Sequence, residues 1–139
     1  MTVICVDDHP VMLYRLKTSA QRAFPDSEIY DFTKVGEALA CAQEHGCDVL
    51  LCEIEMYSQS GMLLAEEIKK INPKVNIIFV TVCGEREHAR EVLKLKPSGY
   101  LTKPATQEQI MQELRELRYP VRYNNVGDDN RSVKADYAY

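Results

Sequence analysis

The chain has 139 residues and a formal net charge of −4, the size of one ordinary domain and too short for two comfortable ones. With 45% apolar and 27% charged residues it has a soluble globular balance, and its mild acidity argues against a surface given over to nucleic acid. No run reaches the ~18 apolar residues of a membrane helix and the N-terminus lacks the order of a signal peptide, so a cytoplasmic protein is expected.

Apolar runs of strand length alternate with helix-like stretches. "TVICV" (2–6) is rich in β-branched residues and stops at Asp7 and Asp8. Pro10 then suits the first turn of a helix over 10–23. "EIYDF" (28–32) is the second predicted strand, and a helix over 34–45 ends before Gly46, a C-terminal cap. "DVLLCE" (48–53) is the third strand, followed by a helix over 61–71 that Pro73 terminates. "VNIIFVTV" (75–82) precedes a helix over 85–95 that ends before Pro97, and "GYLT" (99–102) is the last strand. "TQEQ" (106–109) has the form of a capping box opening a helix over 106–118, with Ile110, Leu114 and Leu117 on one face. The remainder, 119–139, is aperiodic, polar and rich in tyrosine, and reads as a flexible tail or a linker towards a further domain. The five cysteines (Cys5, Cys41, Cys47, Cys52, Cys83) lack metal-ligand spacing, and three lie in apolar segments. Buried free thiols are therefore expected in place of disulfides or zinc ligands.

Five β–α units in series predict an α/β, doubly wound, mostly parallel sheet covered by helices on both faces. Chemistry in such a sheet gathers at the carboxyl ends of its strands. Those ends carry Asp7 and Asp8, Glu53, Thr81 and Lys103. Converging acids resist joint ionisation without a cation, and oxygen ligands with neither His nor Cys suit Mg²⁺. Lys103 and Thr81 would meet the remaining oxygens of a phosphoryl group.

The fragments "VDDHP", "DVLLCEIEM…G", "FVT" and "GYLTKP", in this order and each at a strand end, resemble the receiver domain of bacterial response regulators over about residues 2–118. The resemblance implies a flavodoxin-like sheet in the order 2-1-3-4-5. It implies Mg²⁺ on Asp8, on Asp7 through water, at Glu53 and on the backbone carbonyl of Glu55. Glu53 matches the aspartate that accepts a phosphoryl group from a sensor histidine kinase or a small phosphodonor. Thr81 and Tyr100 match the hydroxyl and aromatic that reorient on activation, Lys103 the phosphoryl-gripping lysine, and Pro104 the residue after a cis peptide. A homodimer through the fourth helix, fifth strand and fifth helix is also implied; Arg86, Arg90, Glu91, Glu113 and Arg115 could pair across that face, though read alone they are a solvated surface. DNA would be reached only through an output domain outside this chain.

Departures from the pattern cluster at one place: Glu53 replaces the aspartate, Tyr57 replaces a proline, and Val82 replaces a small residue after the threonine. One added methylene moves the carboxylate about an ångström, a displacement that costs on the order of 100-fold in rate. Three readings of Glu53 follow: an acceptor still open to phosphorylation, a built-in mimic reaching towards Thr81 and Lys103, or a structural counter-ion for Lys103. The expectation is that Glu53 occupies the phosphoryl's place and does not receive it. The domain is then a signalling module without enzymatic turnover. Read alone, Asp7 and Asp8 would be a solvated turn, Thr81 strand filler and Tyr100 a half-buried packing residue.

Overall fold

The computed structural model describes residues 1–84 and 86–121. In chain order it contains β1 (Thr2–Val6), α1 (Pro10–Ala23), β2 (Glu28–Phe32), α2 (Val35–His45) and β3 (Val49–Cys52). There follow α3 (Gly61–Ile71), β4 (Asn76–Thr81), α4 (Ala89–Leu95), β5 (Gly99–Thr102) and α5 (Gln107–Arg115). The strands form one parallel sheet in the order β2-β1-β3-β4-β5, as predicted. Its register is set across the three central strands by Cys5 opposite Leu51 and Leu51 opposite Ile78.

The continuous apolar runs of β1, β3 and β4 are buried along their whole length, because helices cover both faces. Side chains alternate between two cores. Ile4, Leu50, Ile77 and Phe79 pack with Ala38, Leu64 and Ile68 under α2 and α3. Val3, Leu51, Ile78 and Val80 pack with Leu16, Ile110 and Leu114 under α1 and α5. Leu117 joins the second core, so the face read from the sequence of the last helix is its buried face.

Local chemistry sets the boundaries. Gly46 closes α2 with φ 78°, a conformation that disfavours a Cβ. The capping box at α5 is formed: Thr106 Oγ1 accepts from Gln109 N–H at 3.1 Å, and Gln109 Oε1 accepts from Thr106 N–H at 2.8 Å. Two helices are shorter than the sequence predicts. α4 begins at Ala89, not 85, and 83–88 contain no Ser, Thr, Asp or Asn to cap an earlier start. α5 ends at Arg115 because the chain beyond it is held by a polar cluster at the amino ends of β4 and β5. There Tyr119 N–H donates to buried Asn76 Oδ1 at 2.7 Å, and Asn76 Nδ2 returns a bond to Tyr119 O at 3.0 Å. Of the segment 119–139, only 119–121 lies among the described residues.

The loop after β3 holds a feature absent from the sequence reading, a two-residue antiparallel ladder of Glu55–Met56 with Gln59–Ser60. It turns through Ser58 at φ 58° and delivers the chain to α3, where Ser60 Oγ accepts from Leu63 N–H. Gly61 closes this loop against β3. A Cβ there would collide with the carbonyl oxygen of Glu53 and with Cys52 Sγ, so no other residue lets the loop lie so close to Glu53.

Candidate functional site

The register brings the carboxyl ends of β1, β3, β4 and β5 to one edge, and with them Asp7, Asp8, Glu53, Thr81 and Lys103. Asp7 is fully buried and Glu53 is 2% exposed, so both carboxylates need partners. Lys103 supplies one to each: its Nζ lies 2.8 Å from Asp7 Oδ2 and 3.0 Å from Glu53 Oε1. The Lys103–Pro104 peptide is cis, at the place the resemblance implied.

Glu53 has no lone pair left over. Oε1 also accepts from Val82 N–H at 3.1 Å. Oε2 accepts from Ile54 N–H at 2.6 Å and from Glu55 N–H at 3.3 Å. An ionised carboxylate offers about four lone-pair sites, and these four donors fill them. The extra methylene makes this possible by letting the carboxylate reach Lys103 and β4 while folding back on its own loop.

Thr81 is brought to the same edge, fully buried, but its Oγ1 accepts from Cys83 N–H at 3.1 Å and does not bond Glu53. Tyr100 is half-buried, packs edge-on against Phe79 and donates its hydroxyl proton to Cys83 O at 3.0 Å. Asp7 Oδ1 accepts from His9 N–H at 2.9 Å, and Asp8, on the open side, accepts from Tyr57 N–H at 2.7 Å. The Tyr57 ring is exposed, and Val82 stands 61% exposed at the rim. The backbone donors at Ile54, Glu55, Tyr57 and Val82 escape a reading of residue types, since any residue but proline supplies an N–H. The only signal is Gly61, which lets the loop close.

Two carboxylates sharing one ammonium leave the buried trio one negative charge in excess. Burial pushes the Asp7 carboxyl above its ordinary value, against the hydrogen bonds from Lys103 and His9 N–H that pull it down. Burial pulls Lys103 down, but its hydrogen bonds to Asp7 and Glu53 outweigh this and raise it. The folded protein thus keeps the Asp7 proton to higher pH than the unfolded chain does. Its stabilising contribution is full below the ordinary value of 3.8 and is lost as pH rises through the raised value. An Asp7→Asn variant is accordingly expected to gain roughly 2–5 °C in Tm at neutral pH. Thermal unfolding at a series of pH values should show the gain fading below pH ~4.

The all-oxygen set of Asp7, Asp8 and the backbone carbonyl of Glu55 fits a hard cation, since the excess negative charge and the open side of Asp8 both favour one. Glu53 does not fit that role, because its four sites are taken.

A doubly wound α/β domain with acids and a lysine at the carboxyl edge of its sheet defines a class of fold and site. Comparison with known proteins narrows it to a family. The response regulator receiver domain family matches residues 3–115, and the chain belongs to it. The chain is 34% identical over 82 residues to the transcriptional regulatory protein CitT of Bacillus subtilis, covering 59% of this chain and 36% of that one. It is 28% identical to the response regulator GacA of Pseudomonas aeruginosa (87% of this chain, 56% of that one). It is likewise 28% identical to the chemotaxis protein CheY of Halobacterium salinarum (83% and 94%). The chain thus spans about a third to a half of the first two relatives and nearly all of the third. Among solved structures, a CheY-like receiver domain from Methanospirillum hungatei superposes with a TM-score of 0.73 at 22% identity, over 82% of this chain and 90% of that one. Among the described residues, no helix is long and apolar enough to cross a membrane.

Proposed function

We propose that this receiver domain carries its signalling charge permanently, with Glu53 standing at the position where the family accepts a phosphoryl group. The observation that carries the reading is the saturation of the Glu53 carboxylate by Lys103 and three backbone N–H groups. A carboxylate whose lone pairs are all engaged has none free to attack phosphorus, yet it meets the ammonium that a phosphoryl group would meet. It brings one charge where a phosphoryl group brings nearly two, with fewer oxygens. Partial activation is therefore the ceiling, in keeping with Thr81 being bonded elsewhere. Asp8, Asp7 and the Glu55 carbonyl would hold Mg²⁺ weakly, and the cation would offset the excess charge. It would supply Lewis-acid support to a phosphoryl group in relatives that accept one.

The domain works by binding and not by turnover, as a module of 1–118 whose following segment links it to an output domain. The names of the relatives support transcription control through that domain, which would make the DNA contact. Pairing of two copies through α4, β5 and α5 is supported by an apolar surface of Ala89, Val92, Leu93 and Tyr100 with Leu93 75% exposed. If Glu53 sets the interaction state, the wild type sediments as a dimer and the neutral near-isostere Glu53→Gln dissociates. Identical sedimentation of the two would contradict the reading and leave Glu53 only a counter-ion.

A further inference from the structure

A second cluster of ligand-bearing side chains lies beside the acidic edge and takes no part in it. Cys83, Glu87 and His88 sit in the loop between β4 and α4, and Glu55 reaches them from the loop after β3. One donor atom from each of the four lies within 4.8 Å of all the others. We propose that these residues form a transition-metal site selective for Zn²⁺, distinct from the oxygen-only cluster of Asp7 and Asp8.

The second observation is the imidazole. His88 Nε2 is shielded from solvent and has no hydrogen-bond partner, an arrangement that costs stability unless something binds there. Glu55 Oε1 is 3.6 Å away, beyond hydrogen-bonding range. An ion pair with protonated His88 would explain those two residues alone. It does not account for Cys83 Sγ or for the Glu87 carboxylate, whose Oε1 accepts a long 3.4 Å bond from Gly84 N–H, converging on the same point.

Tetrahedral zinc holds sulfur at ~2.3 Å and nitrogen or oxygen at ~2.0–2.2 Å, so its ligand atoms lie roughly 3.3–3.7 Å apart. Closing the present set to that size needs shifts of about an ångström. Glu55 and Glu87 are exposed and can make them, Glu87 by relaxing its 3.4 Å bond from Gly84 N–H, while Cys83, 2% exposed, and the half-buried His88 supply the more buried half. Thiolate and imidazole select zinc over Mg²⁺ and Ca²⁺, and the exposed carboxylates leave an open path for entry. Cys83 is the buried free thiol that the sequence led one to expect, and sequence spacing does not display its neighbours because Glu55 comes from a different loop. Binding exchanges the thiol proton for a sulfur–metal bond, the proton passing to buffer, and ties the two loops together.

The test is titration of the purified protein with Zn²⁺ against a chromogenic indicator, in excess Mg²⁺, with Co²⁺ as a spectroscopic substitute. We expect one zinc per chain, unaffected by Mg²⁺, and a thiolate-to-cobalt charge-transfer band. Cys83→Ser should abolish the band, and His88→Ala should weaken zinc binding at least ~10-fold. Competition by Mg²⁺, a band surviving Cys83→Ser, or affinity unchanged by His88→Ala would each overturn the proposal.

Discussion

A Lys103→Met variant is expected to lose about 3–5 kcal/mol of stability at neutral pH, the usual consequence of removing one partner from a buried charge cluster. Among the described residues, Lys103 is the sole cation bonded to both Asp7 and Glu53, both of which are buried. Methionine would fill the space of the stem while deleting the charge. Two buried carboxylates would then face each other, and one would have to take up a proton. Asp7 is the candidate, since its carboxyl already sits above its ordinary value. Urea unfolding should therefore show the loss shrinking as pH falls, in the direction that protonates Asp7, and shrinking again when Mg²⁺ is added. A loss below ~1 kcal/mol, the range of exposed ion pairs, would mean that the pair is solvated and the cluster has no energetic hold on the fold.

Glu53→Asp should have the opposite character, less stable but newly reactive. Removing one methylene withdraws the carboxylate by about an ångström, away from Lys103 and Val82 N–H at the far side of the pocket. The cost is about 1–3 kcal/mol for the buried partners left unsatisfied. In exchange, oxygen lone pairs are freed and a space opens between the carboxylate and Lys103. Phosphorylation of this variant by a small phosphodonor with Mg²⁺ should proceed at least ~100-fold faster than that of the wild type, read as adduct formation by intact mass. A variant as inert as the wild type would shift the cause of inertness to Val82 at the rim.

Much of this was legible because residue type and position coincide at the strand ends. β1, β2 and β5 fall where their apolar runs fall, and the acids and Lys103 converge because a parallel sheet aligns its carboxyl ends. The capping box at Thr106 and the buried face of α5 follow from side-chain spacing alone. What stayed hidden depends on contacts between distant segments. The late start of α4 reflects a missing cap, and the early end of α5 reflects Asn76 and Ser98 claiming the backbone of Tyr119 and Arg118. The ladder at Glu55–Met56 and Gln59–Ser60 is too short to carry a pattern. Of the two contacts in the mimic reading of Glu53, the structure has the one to Lys103, which the counter-ion reading shares, while Thr81 Oγ1 is engaged by Cys83 N–H. Most telling, three of the four donors that saturate Glu53 are backbone N–H groups, which no sequence motif displays.

The most direct measurement is the intact mass of the wild-type protein after prolonged incubation with excess phosphoramidate and Mg²⁺, followed by peptide mapping of any adduct. We expect the mass to remain that of the unmodified chain, with Glu53 filling the phosphoryl site as a resident anion. A stoichiometric phosphoryl adduct mapped to Glu53 would contradict this directly, since an oxygen that accepts phosphorus cannot be one whose lone pairs are all held.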